Sequence, residues 1–131
     1  TAKKFNATTI VRITADCPLT DHRIIDKMLE VFARSNIDIL SNIIKPTFPD
    51  GLDVEIFNFK SLKISNNLAK KSYDREHVTP YMYRKKNFTK KNFRYKSDYS
   101  NLRFTIDEKK DLELMNQIIN KTNISSSVFK R

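Results

Sequence analysis

Two spacings of apolar residues alternate along this chain, and they divide it into strands and helices. The first run, Ile10 to Leu19 (IVRITADCPL), is apolar at Ile10, Val11 and Ile13, with Thr8, Thr9 and Thr14 favouring an extended backbone. It reads as a buried strand carried up to Ala15-Asp16. Pro18 turns Cys17 away from helical geometry, so the chain must bend here. That leaves the Asp16 carboxylate at a strand's carboxyl end, where ligands bind in open α/β sheets. The spacing then changes. Ile24, Ile25, Met28, Leu29 and Phe32 fall on one helical face, and Thr20 or Asp21 can cap it. A short strand follows from Ile37 to Leu40, giving a βαβ unit with parallel strands.

Between Ser41 and Leu52 the pattern breaks into SNIIKPTFPDGL, a loop with fixed corners in which Pro49 sets φ and Gly51 can take a positive φ. Asp53 to Phe59 alternates as a strand, and Ser61 to Lys71 reads as a helix. Asp74 can cap the next segment, where Pro80 fits a first turn ahead of Tyr81 to Tyr83. Phe93 to Lys96 reads as an exposed strand, with Phe88, Phe93 and Tyr95 on its inner side. After a turn at Ser97 to Asn101, Leu102 to Ile106 forms another strand running into Asp107. Asp107 can cap a last helix, Glu108 to Lys121, with Leu112, Met115, Ile118 and Ile119 as its buried stripe. A frayed polar tail is expected over 122–131, and the whole of 1–131 reads as a single, partial domain.

Composition narrows the function classes. With 39% hydrophobic and 31% charged residues in 131, the chain can build a core. No run approaches the roughly 18 apolar residues of a membrane span, and TAKKFNATT has no signal-peptide core. The single Cys17 fits a reducing compartment, so the expected location is cytoplasmic. The net charge of +10 favours anionic partners, yet much of it sits in RKKNFTKKNFRYK, Arg84 to Lys96, which reads first as a solvated face. A small basic nucleic-acid-binding module is the alternative, and a non-catalytic interaction subunit is another. The one glycine, Gly51, excludes a glycine-rich phosphate loop within this sequence.

Asp16 and Asp107 each close an expected strand. On neighbouring strands they would share a hard cation; alone, each would cap the following helix. His22 and His77 lack the spacing of a zinc site, and Cys17 reads as a buried, inert thiol.

Taken in order, VRITADCPLTDHRIID, PTFPDGLDVEIF, REHVTPYM and LRFTIDEKKDLELM resemble the later part of the cytidylyltransferase family that activates sugar acids, nearest to its spore-coat polysaccharide branch. The resemblance implies a three-layer α/β/α fold of the nucleotide-diphospho-sugar transferase type, with a mixed, mostly parallel sheet lacking its N-terminal part. It implies transfer of CMP from CTP to a sugar acid, with release of pyrophosphate and with Mg²⁺ as cofactor. It places Asp16 and Asp107 at the metal, and Asp50, Gly51, Asp53, Arg75, Glu76 and His77 at the sugar pocket. The family's loop around the CTP triphosphate lies upstream of the ADCPL motif and has no counterpart here. The isolated chain is therefore expected not to turn over CTP, and to expose an apolar edge that pairs with a missing N-terminal portion or with another copy.

Overall fold

Thr9–Arg12 of the opening apolar run forms strand β1, and the chain then passes through helix α1 (His22–Ala33) into strand β2 (Ile39–Ser41). The computed structural model describes residues 1–122. Beyond Thr122, the expected tail lies outside the described residues. Strand β3 (Glu55–Asn58) leads directly into α2 (Phe59–Leu68), and two short helices, α3 (Ser72–His77) and α4 (Pro80–Arg84), precede β4 (Lys90–Asn92) and α5 (Lys109–Thr122).

The sheet has the order β1-β3-β2-β4. β3 is antiparallel to both β1 and β2, while β2 and β4 are parallel. The βαβ unit does give parallel strands, but β3 is inserted between them. Three strands thus share a direction and β3 opposes them, which makes the sheet mixed.

Strand periodicity sorts the core onto two faces. Leu40, Val54 and Ile56 pack under the α1 stripe of Met28 and Phe32. Ile39 and Phe57 face the other way, against Tyr81, Met82 and Phe88. Each fully buried apolar side chain of this kind contributes roughly 1.5–3 kcal/mol. Helices therefore cover both faces, as an α/β/α arrangement requires. α1 starts as expected, with Asp21 accepting a hydrogen bond from the Arg23 N–H at 2.8 Å.

Four local expectations are corrected. β1 is not buried: it is an edge strand, and Val11 (37% exposed) and Ile13 (51%) look outward. Leu102 to Ile106 is not a strand, because its one bridge joins Arg103 to Asp50 in a loop. Phe93 to Lys96 is not one either; the ladder is three residues earlier, and Phe93 follows it with its N–H on the Ser41 carbonyl at 2.8 Å. Asp74 does not cap a helix. It lies buried inside α3, where the Arg84 guanidinium of α4 grips both its oxygens at 2.5 Å. Pro80 does occupy the first turn of α4. Among the described residues, no helix is long and apolar enough to cross a membrane.

Candidate active site

Three separated stretches meet at one edge of the molecule. The first is the turn after β1 that carries Asp16. The second is the Pro49–Asp53 turn, pinned from behind by buried Asn42, whose side chain donates to the Leu52 carbonyl at 2.8 Å and accepts from the Val54 N–H at 2.9 Å. The third is Leu102–Asp107, which runs along both. The Asp50 N–H donates to the Leu102 carbonyl at 2.9 Å, the Phe104 N–H to the Asp50 carbonyl at 2.7 Å, and the Ile106 N–H to the Asp16 carbonyl at 2.9 Å. Gly51 is required here on two grounds. Its φ is +99°, and a Cβ would lie 2.7 Å from the Phe104 carbonyl carbon.

The side chains crowd negative charge at this edge. The Thr14 hydroxyl, by hydrogen bonding, holds the Asp16 carboxyl below its ordinary value, so Asp16 presents an ionised oxygen. Asp53 is pushed up to about 6, first by burial and then by the charges of Asp50, Glu55 and Asp16. Arg12 is the cation that acts on Asp16 and Asp53, but its Nη1 already donates to Glu55 Oε2 at 2.5 Å, and Arg103 Nε lies 3.8 Å from the Asp50 carboxylate. Glu55 is 1% exposed, and the Tyr83 hydroxyl of α4 donates to its other oxygen. Burial and Glu55 together raise the Tyr83 phenol well above its usual range. Buried Cys17 is held protonated, mainly by desolvation.

Asp107 is placed differently. It does not cap α5. Its carboxylate accepts from Arg103 and from the Thr105 hydroxyl at 3.1 Å, while Asp111 reaches back to the N–H groups of Asp107 and Glu108 at 3.0 and 2.9 Å. An acid in the third helical position serves as well as one before the helix, and here it has the better reach. Arg103 also donates to Asp111 at 3.0 Å, and together with the two N–H groups this brings the Asp111 carboxyl down to about 2.

The expected sugar-pocket residues divide. Asp50, Gly51 and Asp53 are at this edge. Arg75, Glu76 and His77 are on exposed α3, where Arg75 donates to the Asn66 carbonyl of α2 at 3.1 Å and His77 packs against Tyr73. No hydrogen bond or ion pair among the described residues links the two sets. The Arg12–Glu55–Tyr83 group and Arg103 were not singled out from the sequence. Their one sequence signal is Glu55 itself, a charge within the apolar run DVEIF.

No group of three metal-ligating side chains is assembled among the described residues. Mg²⁺ needs only one or two carboxylates, the remainder of its shell being water and phosphate. The ionised Asp16, beside the crowded Asp53, fits such a cation. Asp107 fits it less well, because Arg103 holds its carboxylate.

Beside this edge lies a cleft of about 550 Å³ between α1 and residues 93–99, whose floor includes Phe48, Pro49 and Leu52. One family model, that of the cytidylyltransferases, matches residues 1–128. The chain belongs to the cytidylyltransferase family. Its α/β architecture is shared with a cytidylyltransferase from Leptospira borgpetersenii serovar Hardjo-bovis, which is 34% identical and superimposes with a TM-score of 0.86 over 92% of this chain and 52% of that one. An uncharacterized protein of Methanocaldococcus jannaschii is 40% identical over 118 residues, 86% of this chain and 46% of that protein. This cytidylyltransferase chain thus spans about half the length of the relatives it matches.

Proposed function

We propose that the reaction is transfer of CMP from CTP to a sugar acid, serving a surface or spore-coat polysaccharide. The reading rests on the joining of three sequence motifs at one edge by main-chain hydrogen bonds, which brings Asp16, Asp50, Asp53 and Asp107 into one neighbourhood. A sugar hydroxyl would attack the α-phosphorus; the new O–P bond forms as the bond to pyrophosphate breaks, and the hydroxyl proton passes to solvent or a neighbouring base.

Such a displacement needs charge neutralisation and alignment more than covalent help. When bound, Mg²⁺ supplies both. Asp16 is the residue that would hold it, with Asp107 as a second ligand once Arg103 turns to a phosphate. Asp50, Gly51 and Asp53 bound the acceptor side; Arg75, Glu76 and His77 form no hydrogen bond or ion pair with them among the described residues. Gly51 is the only glycine, so the triphosphate loop must come from elsewhere in a longer protein or an assembly. The open edge of β1 is the seam at which that part would pair.

The test is pyrophosphate release from CTP and Mg²⁺ with a panel of sugar acids, for the chain alone and for a protein that completes the sheet. Release by the completed protein, dependent on the acid, is expected. Silence from it would overturn the assignment, and turnover by the chain alone would overturn the need for completion.

A further inference from the structure

We propose that Glu55 is a positioning residue: gripped by the Tyr83 hydroxyl, it holds the Arg12 guanidinium away from Asp16 and Asp53 and so keeps these acids open to a divalent cation. This rests on the CMP-transfer reading above for the use made of that cation. It gives a role to a buried charge that neither the sequence motifs nor the reaction calls for.

Glu55 is set in the middle of the sheet. β3 is flanked by β1 and β2, and the register places Glu55 opposite Arg12 on one side and opposite Ser41 on the other. Directly opposite residues of antiparallel strands share a face. Phe57, two residues on, shares it too and packs against Tyr81 and Met82 of α4. The carboxylate is therefore built into the core, on the side that α4 covers. Packing alone would be served as well by an apolar side chain there.

Both of its oxygens are taken. Oε2 accepts Arg12 Nη1 at 2.5 Å, and Oε1 accepts the Tyr83 hydroxyl. Tyr83 is fixed in turn by its own helix, where Tyr81 and Met82 are buried and Arg84 grips Asp74 of α3 with both Nη atoms at 2.5 Å. Glu55 is thus not free to follow Arg12. Arg12, on an edge strand with 25% of its side chain exposed, is free to turn.

Other acids lie within its field. Arg12 acts through space on both Asp16 and Asp53. Yet its one ion pair among the described residues is with Glu55. Arg103, the other arginine at this edge, bonds to Asp107 and Asp111, with its Nε 3.8 Å from Asp50. Burial decides the competition for Arg12. A desolvated carboxylate left without its cation costs far more than a partly exposed one that water can reach, so Glu55 keeps the guanidinium. Asp16 and Asp53, both partly exposed, are left with charge that a hard cation can take up.

The test uses the chain with Mn²⁺ alone as the probe, read by paramagnetic broadening of the Asp16 and Asp53 amide signals. Glu55→Gln keeps the shape and can still bond to Arg12 and Tyr83, but it no longer holds the guanidinium by charge. It should weaken Mn²⁺ binding about tenfold, the effect of one positive charge brought close to the acids. Arg12→Gln/Glu55→Gln should restore binding to at least the parent's level, a rescue that a merely structural role for Glu55 would not produce. The double variant leaves no buried charge unpaired at this pair, so its comparison with the parent stands even where Glu55→Gln folds poorly. Undiminished binding in Glu55→Gln, a double variant weaker than the parent, or a parent whose Asp16 and Asp53 signals do not broaden would each overturn the inference. Pyrophosphate release by the completed protein decides the CMP-transfer reading separately. Release without this Mn²⁺ pattern would leave that reading standing, and silence with the pattern intact would leave only the charge arrangement at Glu55.

Discussion

Asp16 and Asp53 have Arg12 as the cation that acts on them, and Arg12 is already bonded to Glu55, while neighbouring Asp50 reaches the edge of Arg103 at 3.8 Å. A few residues along the same edge, Asp107 and Asp111 take both Nη atoms of the Arg103 guanidinium. The consequences are opposite. In the first group, like charge and burial push Asp53 up to about 6; in the second, an arginine and two N–H groups bring Asp111 down to about 2. A carboxylate group whose charge is unbalanced by the fold is ready for a cation from outside, whereas one balanced from within serves the fold. The comparison teaches which of two motif acids is free to act: Asp16 is, and Asp107 is held until Arg103 lets go.

The sharpest way to break this contrast is at Glu55. Glu55→Ala removes the partner of Arg12 and of the Tyr83 hydroxyl, leaving a partly buried guanidinium unpaired. It should cost about 3 kcal/mol in urea unfolding. It should also free Arg12 to balance Asp16 and Asp53, so the Asp53 carboxyl, followed by NMR titration, should fall below about 6. An unchanged Asp53 would mean that neither Glu55 nor Arg12 contributes to its value, leaving burial with Asp50 and Asp16 to set it.

Gly51→Ala acts on the joint between the two groups. The new Cβ meets the Phe104 backbone at 2.7 Å, and an L side chain is strained at φ +99°. A loss of about 2 kcal/mol is expected, with exchange protection lost first at the Asp50 and Phe104 amides. Full protection there would show that the turn can shift to admit a side chain.

The smallest effect is expected at exposed Arg103. Asp111 has a lowered value in the folded state, so its contribution is present above the ordinary carboxylate range and lost as pH falls toward about 2. Arg103→Met should therefore lower the thermal midpoint at neutral pH, and the gap from the parent protein should close between about pH 4 and pH 2. A gap that persists at pH 2 would mean that Arg103 stabilises by packing rather than by charge.

Much of the architecture was legible where local chemistry and packing agree. The α1 stripe with a cap at Thr20 or Asp21, the Pro49–Gly51 turn and the alternation of β3 followed from apolar period and turn residues alone, and the structure chooses Asp21. Leu102–Ile106 misled because a run that looks like a strand here pairs with a loop. Periodicity reports that a chain is extended, not what it lies beside. β1 misled for a related reason: IVRI has the residues of a buried strand, but its outer edge is uncovered among the described residues. For the site, Asp16 and the 50–53 turn could be read from motifs. Arg12, Glu55 and Arg103 could not, since their roles come from contacts such as Arg12 with Glu55, 43 residues apart. Asp107 and Asp111 both suit a helix start by spacing, and what separates them is that the Asp107 and Glu108 N–H groups both donate to Asp111.

The most direct measurement compares Asp16→Asn with Asp107→Asn in the Mg²⁺-dependent pyrophosphate-release assay of the completed protein. Asp16→Asn should lose at least about a hundredfold in turnover with the circular dichroism unchanged, and Asp107→Asn should lose less. Retained activity in Asp16→Asn, or a larger loss in Asp107→Asn, would contradict the assignment of Asp16 as the free acid of the pair.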